Sequence, residues 1–251
     1  MKMSRLSFAK ALLTLLLALP MTVLAGEEAI NLDHAPVNVD DHESLQRGAR
    51  LFVNYCLTCH SANYMRYSRL QDIGLTEPQI KENLLFTSDK PGDTMHVAMA
   101  SDLAKAWFGS APPDLTVITR ARGANWVYTY LRGFYRDDSR PTGWNNVVFD
   151  KVAMPHVLHE MQGEMAPVYR TEKDEEGKDR QVIDHLALVK PGKMTLAEYN
   201  GAAADLVNYL AWMGEPAKSQ RLHIGLVVVL FLAVFAVVAF YLKKEYWKDV
   251  H

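Results

Sequence analysis

Two thiols and an imidazole lie together in the segment NYCLTCHSANY, residues 54–64. Cys56 and Cys59 are the only two cysteines of the 251-residue chain, and His60 follows directly. A Cys-x-x-Cys-His sequence is the signature for covalent attachment of a c-type haem. The two thiols add to the vinyl groups of the porphyrin, and the histidine supplies an axial nitrogen to the iron. The motif therefore predicts one covalent haem c, bound through Cys56 and Cys59, with His60 as an iron ligand.

Other chemistries also use closely spaced thiols. A structural zinc site requires four Cys or His ligands, but the chain has no second cysteine pair. A thiol–disulfide exchange site is expected at the start of a helix, whereas here a helical pattern precedes the motif. A plain disulfide would close a very tight loop. Haem attachment is favoured, and a periplasmic thiol–disulfide oxidoreductase is kept as an alternative.

A haem iron with one histidine ligand needs a sixth ligand or keeps an open position. Candidate ligands occur far downstream, in VAMPHVLHEMQGEMAPVY, residues 152–169: Met154, Met161, Met165, His156 and His159. A thioether ligand favours ferrous iron and so keeps the reduction potential high, which suits an electron carrier. At this point all five side chains remain candidates.

The amino terminus is typical of a secretory signal peptide. Three basic residues precede a short apolar run at residues 11–19, and a small-residue cleavage site ends at Ala25. The run is short for an uncleaved membrane anchor. We therefore predict a cleaved signal peptide over residues 1–25, followed by a periplasmic c-type cytochrome domain over residues 26–218.

A second apolar segment, from Leu222 to Leu242, lies near the carboxyl terminus. Its 21 residues would rise about 31 Å as a helix, close to the roughly 30 Å hydrocarbon core of a bilayer. Lysines 243, 244 and 248 follow, and such residues mark the cytoplasmic side. Residues 219–251 are thus predicted to be a single-pass anchor in a bacterial inner membrane, with a short cytoplasmic tail and the haem domain in the periplasm.

Helical periodicity dominates the predicted exported domain. Residues 41–56 and 195–214 repeat apolar side chains at helical spacing, and the second segment opens with the capping-box pair Thr195 and Glu198. A third segment, residues 125–135, places aromatic rings at four-residue intervals. Little clean strand alternation is visible, so the predicted fold class is all-α. The net charge of −2 gives no indication of a nucleic-acid partner.

Several motifs in a fixed order resemble the cytochrome c1 family. They are SLQRGARLFVNYCLTCHS at 44–61, APPDLTVITRAR at 111–122, the methionine segment at 149–158, DLVNYLAWMGEP at 205–216 and the carboxyl-terminal anchor. The resemblance implies a class I cytochrome c-like haem domain with long loop insertions, followed by one transmembrane helix. It also implies an electron-transfer subunit without a catalytic site of its own.

The partners implied by this resemblance are those of the quinol–cytochrome c oxidoreductase, the dimeric cytochrome bc1 complex. They are cytochrome b, the Rieske iron–sulfur protein as electron donor, and a soluble or membrane-bound cytochrome c as electron acceptor. A membrane-anchored c-type subunit of a terminal oxidase or reductase is the alternative. It would share the haem motif but lack the ordered APPDL and RAR segments.

The resemblance also implies roles for individual residues. Cys56 and Cys59 would carry the haem, with His60 as the proximal ligand. The carbonyl of Pro113, in the Pro-Pro loop, would orient that histidine, as metal-bound imidazoles require. Arg122 would meet a haem propionate.

The sixth ligand is where the sequence departs from the family pattern. Many relatives have a Gly-Met-Ala-Pro-like stretch, and this chain has two partial matches, AMPHVL and EMAPVY. The segment that precedes Met154 begins with a phenylalanine and resembles the corresponding segment of the family. The residues that follow Met165 match the family pattern better than those that follow Met154. Met154 is the predicted ligand and Met165 the alternative.

Overall fold

The computed structural model describes residues 31–97, 99–173 and 177–249. The predicted signal peptide, residues 1–25, lies outside the described residues and stays a prediction. The same holds for the boundary at Ala25.

Helices account for most of the regular structure in the described ranges. The α-helices are α1 (His42–Leu51), α2 (Glu77–Asn83), α3 (Ser101–Phe108), α4 (Ile118–Arg122), α5 (Ala124–Arg132), α6 (His159–Gln162), α7 (Leu196–Gly214) and α8 (Lys218–Tyr246). A π-helical turn, Phe52–Cys56, continues α1, and a 3-10 helix spans Tyr67–Ile73. The strands are β1 (Ala62–Arg66), β2 (Thr94–Met95), β3 (Phe134–Arg136), β4 (Trp144–Asn146), β5 (Gly163–Lys173) and β6 (Asp179–Pro191).

These strands form three two-stranded antiparallel sheets, β1–β2, β3–β4 and β5–β6. The fold is therefore mostly helical, as predicted, but a purely all-α class is not confirmed because sheets are also present. The sequence of the long β5–β6 hairpin does not alternate between apolar and polar residues, because most side chains on both faces of the hairpin are exposed. Its register also shifts at two irregularities, Glu164/Met165 and Val168/Tyr169, which breaks any period of two.

The two helices expected at the ends of the haem domain are present and capped as their sequences indicate. The Asp41 side chain accepts a hydrogen bond from the Ser44 amide at the start of α1. Thr195 and Glu198 form a reciprocal capping box at the start of α7. These caps satisfy amide groups that the first turn of a helix leaves without a partner.

Helices α1 and α7 cross at very short range. A Cβ atom added at Gly48 would lie 2.1 Å from the Asp205 carbonyl oxygen and 2.7 Å from the Tyr209 Cβ. Beside this crossing Arg47 donates two hydrogen bonds to the Asp205 carboxylate, at 2.6 and 3.0 Å. Phe52, one turn further along, packs against Tyr209 with ring centroids 5.6 Å apart. The crossing fixes where α1 delivers the cysteine motif relative to α7.

The aromatic stripe predicted in residues 125–135 lies on α5 and the start of β3. Trp126 and Tyr130 stack with ring centroids 5.0 Å apart, and Phe134 meets Tyr130 edge-on at 5.1 Å. Phe134 is fully buried in a small second core with Trp144 and Val152. Trp126 and Tyr130 are half-buried, and they face the cavity described below.

The carboxyl-terminal helix α8 is apolar and long enough to cross a membrane. Its stretch His223–Tyr246 has 24 residues and a mean hydropathy of 3.0, and none of its most apolar window is buried. A core helix of a soluble domain would instead be covered by its own chain. The helix fits a single membrane span.

Candidate functional site

A cavity of about 420 Å³ lies against the cysteine motif. Its walls come from residues 55–60, the loop at 108–118, helix α5, residues 149–157 and helix α7. Most of the lining is apolar, and the volume is in the range of small-molecule and cofactor pockets. Cys56, Cys59, His60 and Met154 all contribute to the lining.

The two thiols lie at the carboxyl end of a helix. Cys56 closes the π-helical turn, and the amides of Cys59 and His60 donate to its carbonyl oxygen at 3.1 and 2.8 Å. Burial raises the pKa of Cys56 to about 12, with the neighbouring Cys59 adding to the rise, and burial also raises the pKa of Cys59. Exchange cysteines have lowered pKa values at helix amino termini. The thiol–disulfide alternative is therefore not favoured.

His60 is buried and held by one hydrogen bond. Its Nδ1 atom lies 2.7 Å from the Pro113 carbonyl oxygen. A carbonyl can only accept, so Nδ1 carries the proton and donates, which leaves Nε2 as the basic nitrogen. Burial lowers the pKa of His60, and the bond to Pro113 partly offsets this effect. The ring is thus kept neutral and oriented, as a metal-binding imidazole must be.

The loop that carries Pro113 is itself fixed by hydrogen bonds. The Leu115 amide donates to the Ser61 carbonyl oxygen at 2.8 Å. One carboxylate oxygen of Asp114 accepts from the Asn63 amide at 2.8 Å. The other accepts from the Thr116 amide at 2.8 Å and the Thr116 hydroxyl at 2.6 Å. Asp114 therefore ties the Pro-Pro loop to the chain that follows His60.

We expect Asp114→Ala to destabilise the protein by about 1–3 kcal/mol, since it removes three hydrogen bonds to a partly buried carboxylate. The measurement is denaturant unfolding of the full-length protein. Asp138→Ala, which removes an exposed carboxylate, is the matched control and should change stability by less than about 0.5 kcal/mol. Equal unfolding midpoints for the two variants would contradict this role of Asp114.

Among the five side chains considered as a sixth ligand, Met154 is the one that contributes to the cavity lining. Met165 is buried in β5, opposite Leu188 of β6. Met161 packs against the main core. The assignment of Met154 as the iron ligand stays a prediction, but Met154 lines the same cavity as the cysteine motif.

The two histidines lie outside the lining. His156 is 2% exposed and stacks on Phe134 with ring centroids 4.7 Å apart. Burial lowers the pKa of His156 to about 4, so the ring is neutral at physiological pH. The exposed ring of His159 places Nδ1 2.9 Å from the His156 carbonyl oxygen.

The two arginines of the RAR segment have different surroundings. Arg122 lines the cavity, with its guanidinium 5.3 Å from the centroid of the Trp126 ring. Arg120 instead lies 3.9 Å from the Glu215 carboxylate. Arg122 therefore contributes a positive charge to the cavity lining, and its contact with a haem propionate stays a prediction.

Sequence reasoning did not assign a site role to Trp126 and Tyr130, nor to Leu206 and Leu210 on α7. All four line the cavity. The four-residue aromatic spacing in α5 was visible, but such a stripe was interpreted as ordinary core. Only the fold shows that this stripe and α7 line the same cavity.

The donor set at this cavity is that of a c-type cytochrome: two thiols, one imidazole with a free nitrogen and one thioether. A family model supports and narrows this classification, since the model of the cytochrome C1 family matches residues 33–250. The chain belongs to the cytochrome c1 family.

Curated relatives cover most of the chain. An ammonia monooxygenase gamma subunit from Nitrosomonas europaea is 48% identical over 96% of this chain and 98% of its own length. A cytochrome c1 from Allochromatium vinosum is 46% identical, again over 96% and 98%. A more distant mitochondrial relative from Arabidopsis thaliana, named cytochrome c1 1, heme protein, is 27% identical over 82% of this chain and 67% of its own length.

Two relatives of nearly equal similarity thus carry different names. Their names alone give no reason to prefer one function. The family model and the cysteine motif at the cavity both agree with the cytochrome c1 name.

Proposed function

We propose that the chain relays single electrons from a Rieske iron–sulfur protein to a soluble or membrane-bound cytochrome c. As a cytochrome c1 family member, it is the electron-transferring haem subunit of a cytochrome bc1 complex and carries a c-type haem. The observation that carries the proposal is the cysteine motif at an apolar cavity, with His60 held by the Pro113 carbonyl at 2.7 Å. The alternative of a terminal oxidase or reductase subunit is not favoured.

The residues present fit the haem group. Cys56 and Cys59 would bind it covalently, and Nε2 of His60 is left available to iron because Nδ1 is already bonded to Pro113. Met154 is the thioether that lines the same cavity. When bound, the haem supplies a centre that gains and loses one electron.

The residues of the chain would bind and orient the haem and set its reduction potential. Apolar side chains from α5 and α7 line part of the cavity, and a low-polarity surrounding disfavours the additional charge of ferric iron. Arg122 provides a positive charge at the edge beside Trp126. No proton transfer at a protein side chain is needed, and we propose no catalytic residue.

We also propose an arrangement in the membrane, which rests on membership of the cytochrome c1 family and on the apolar helix α8. Helix α8 would pack beside cytochrome b in a dimeric complex, with residues 26–218 in the periplasm of a bacterial cell. Lys243 and Lys244, at the carboxyl end of the apolar stretch, support a cytoplasmic location for that end.

Visible absorption of the purified full-length protein tests the proposal, after expression with a working haem attachment system. We expect a c-type spectrum that survives denaturation, and rapid reduction by a reduced Rieske protein. The variant Cys56→Ala/Cys59→Ala should lose all covalently bound haem. A colourless wild-type protein would overturn the electron-carrier function, whereas a haem protein that the Rieske protein does not reduce would overturn only the proposed donor.

A further inference from the structure

The hydroxyl of Tyr130 points at the sulfur of Met154. It donates a hydrogen bond to Sδ at 3.3 Å, a short distance for a sulfur acceptor. A phenol carries its proton at neutral pH and a thioether has none to give. Tyr130 is therefore the donor and Met154 the acceptor.

The tyrosine ring is held in place from several sides. Trp126 stacks on one face at 5.0 Å, with 11° between the ring planes, and Phe134 meets the ring edge-on at 5.1 Å. The side-chain amide of Asn146 donates to the Tyr130 carbonyl at 2.8 Å. This last bond ties the end of α5 to β4, the strand that precedes the Met154 segment. The hydroxyl therefore has a fixed direction.

We infer that Tyr130 is a positioning residue that orients the Met154 thioether and raises the reduction potential of the centre. The inference rests on the proposed function, in which Met154 is the sixth ligand. A thioether sulfur has two lone pairs, so one can accept from Tyr130 while the other remains available to iron. The bond also restricts the rotamers that the Met154 side chain can adopt.

The expected direction of the effect follows from electron density. A hydrogen bond to sulfur withdraws density from it, and the sulfur then donates less to the iron. Ferric iron, the more electron-poor state, loses more stabilisation than ferrous iron. Removing the hydroxyl should therefore lower the potential.

Tyr130→Phe tests this inference because it deletes one oxygen and retains the ring packing. The matched control is Tyr128→Phe on the same helix, whose hydroxyl donates to the Asn200 carbonyl oxygen at 3.4 Å and whose ring is not part of the cavity lining. The readouts are an equilibrium redox titration of the full-length haem protein and its far-red sulfur-to-iron absorption band.

We expect Tyr130→Phe to lower the ferrous-to-ferric ratio at fixed potential about threefold, which is about 28 mV for one electron. The far-red band should also shift in position. Tyr128→Phe should change neither quantity. Unfolding curves of the two variants would show whether packing is equally preserved.

The outcomes separate this inference from the function it rests on. If Tyr130→Phe matches the wild type while Met154→Leu abolishes the far-red band, the hydrogen bond does not tune the centre and the inference is wrong. If Met154→Leu retains the band, the ligand assignment fails and the inference fails with it. Equal shifts in both tyrosine variants would also overturn it, because they would indicate a general packing effect.

Discussion

Replacing Met154 with leucine is expected to abolish the far-red sulfur-to-iron band and to lower the reduction potential on the order of 0.2 V, within the roughly 0.8 V range that axial ligands control. The covalent haem should remain, because both thiols and His60 are unchanged. The physical reason is that leucine fills the volume of methionine but has no lone pair, so the ferrous state loses the ligand that favours it. A redox titration and an absorption spectrum measure both effects.

Met165→Leu is the matched control for that experiment. It makes the same chemical change in a methionine that is buried in β5 and does not line the cavity. We expect an unchanged spectrum and a loss of stability below about 1.5 kcal/mol. The reverse pattern, with the band lost only in Met165→Leu, would make Met165 the ligand. A band retained in both variants would exclude either thioether.

The residues that would bind the haem could be predicted from the sequence, whereas most of the contacts around them could not. Cys56, Cys59 and His60 occur within five consecutive residues, so their proximity needs no knowledge of the fold. The partner of His60, the Pro113 carbonyl, is a backbone atom 53 residues away. Residue type carries no signal for such an atom, and only the family resemblance indicated it.

The missed features share a physical cause. Tyr130 and Met154 are 24 residues apart, and their hydrogen bond depends on how β3 and β4 turn the chain between them. The β5–β6 hairpin is joined by backbone hydrogen bonds across an exposed ribbon, and hydrophobic periodicity cannot report such pairing. By contrast, α1 and α7 were predictable because their capping residues and the apolar residues of their buried faces lie within each helix's own segment of sequence.

The crossing of α1 and α7 couples stability to the site. Gly48 lies at the crossing, and two turns later the same helix reaches Cys56, whose thiol lines the cavity. Leu206 and Leu210 of α7 line the same cavity. A change in the separation of these helices would therefore also move side chains that line the cavity.

Gly48→Ala is for this reason expected to be among the most damaging single-methyl additions in the chain. The new Cβ would lie 2.1 Å from a backbone oxygen of Asp205, an atom that cannot rotate away, so the helices must separate. Overpacking of this kind costs about 1–3 kcal/mol and more where the backbone must move. We expect a loss of at least about 3 kcal/mol in denaturant unfolding and a lower yield of haem-loaded protein.

Gly201→Ala provides the matched control, since a Cβ at Gly201 meets no atom within 4 Å. This glycine lies inside α7, where alanine is the better helix former by about 0.5–1 kcal/mol. The control should thus be neutral or slightly stabilising, with a normal haem yield. If Gly48→Ala were as stable as Gly201→Ala, α1 and α7 would not be in the close contact seen here. The cavity wall formed by α7 would then be free to shift relative to the cysteine motif.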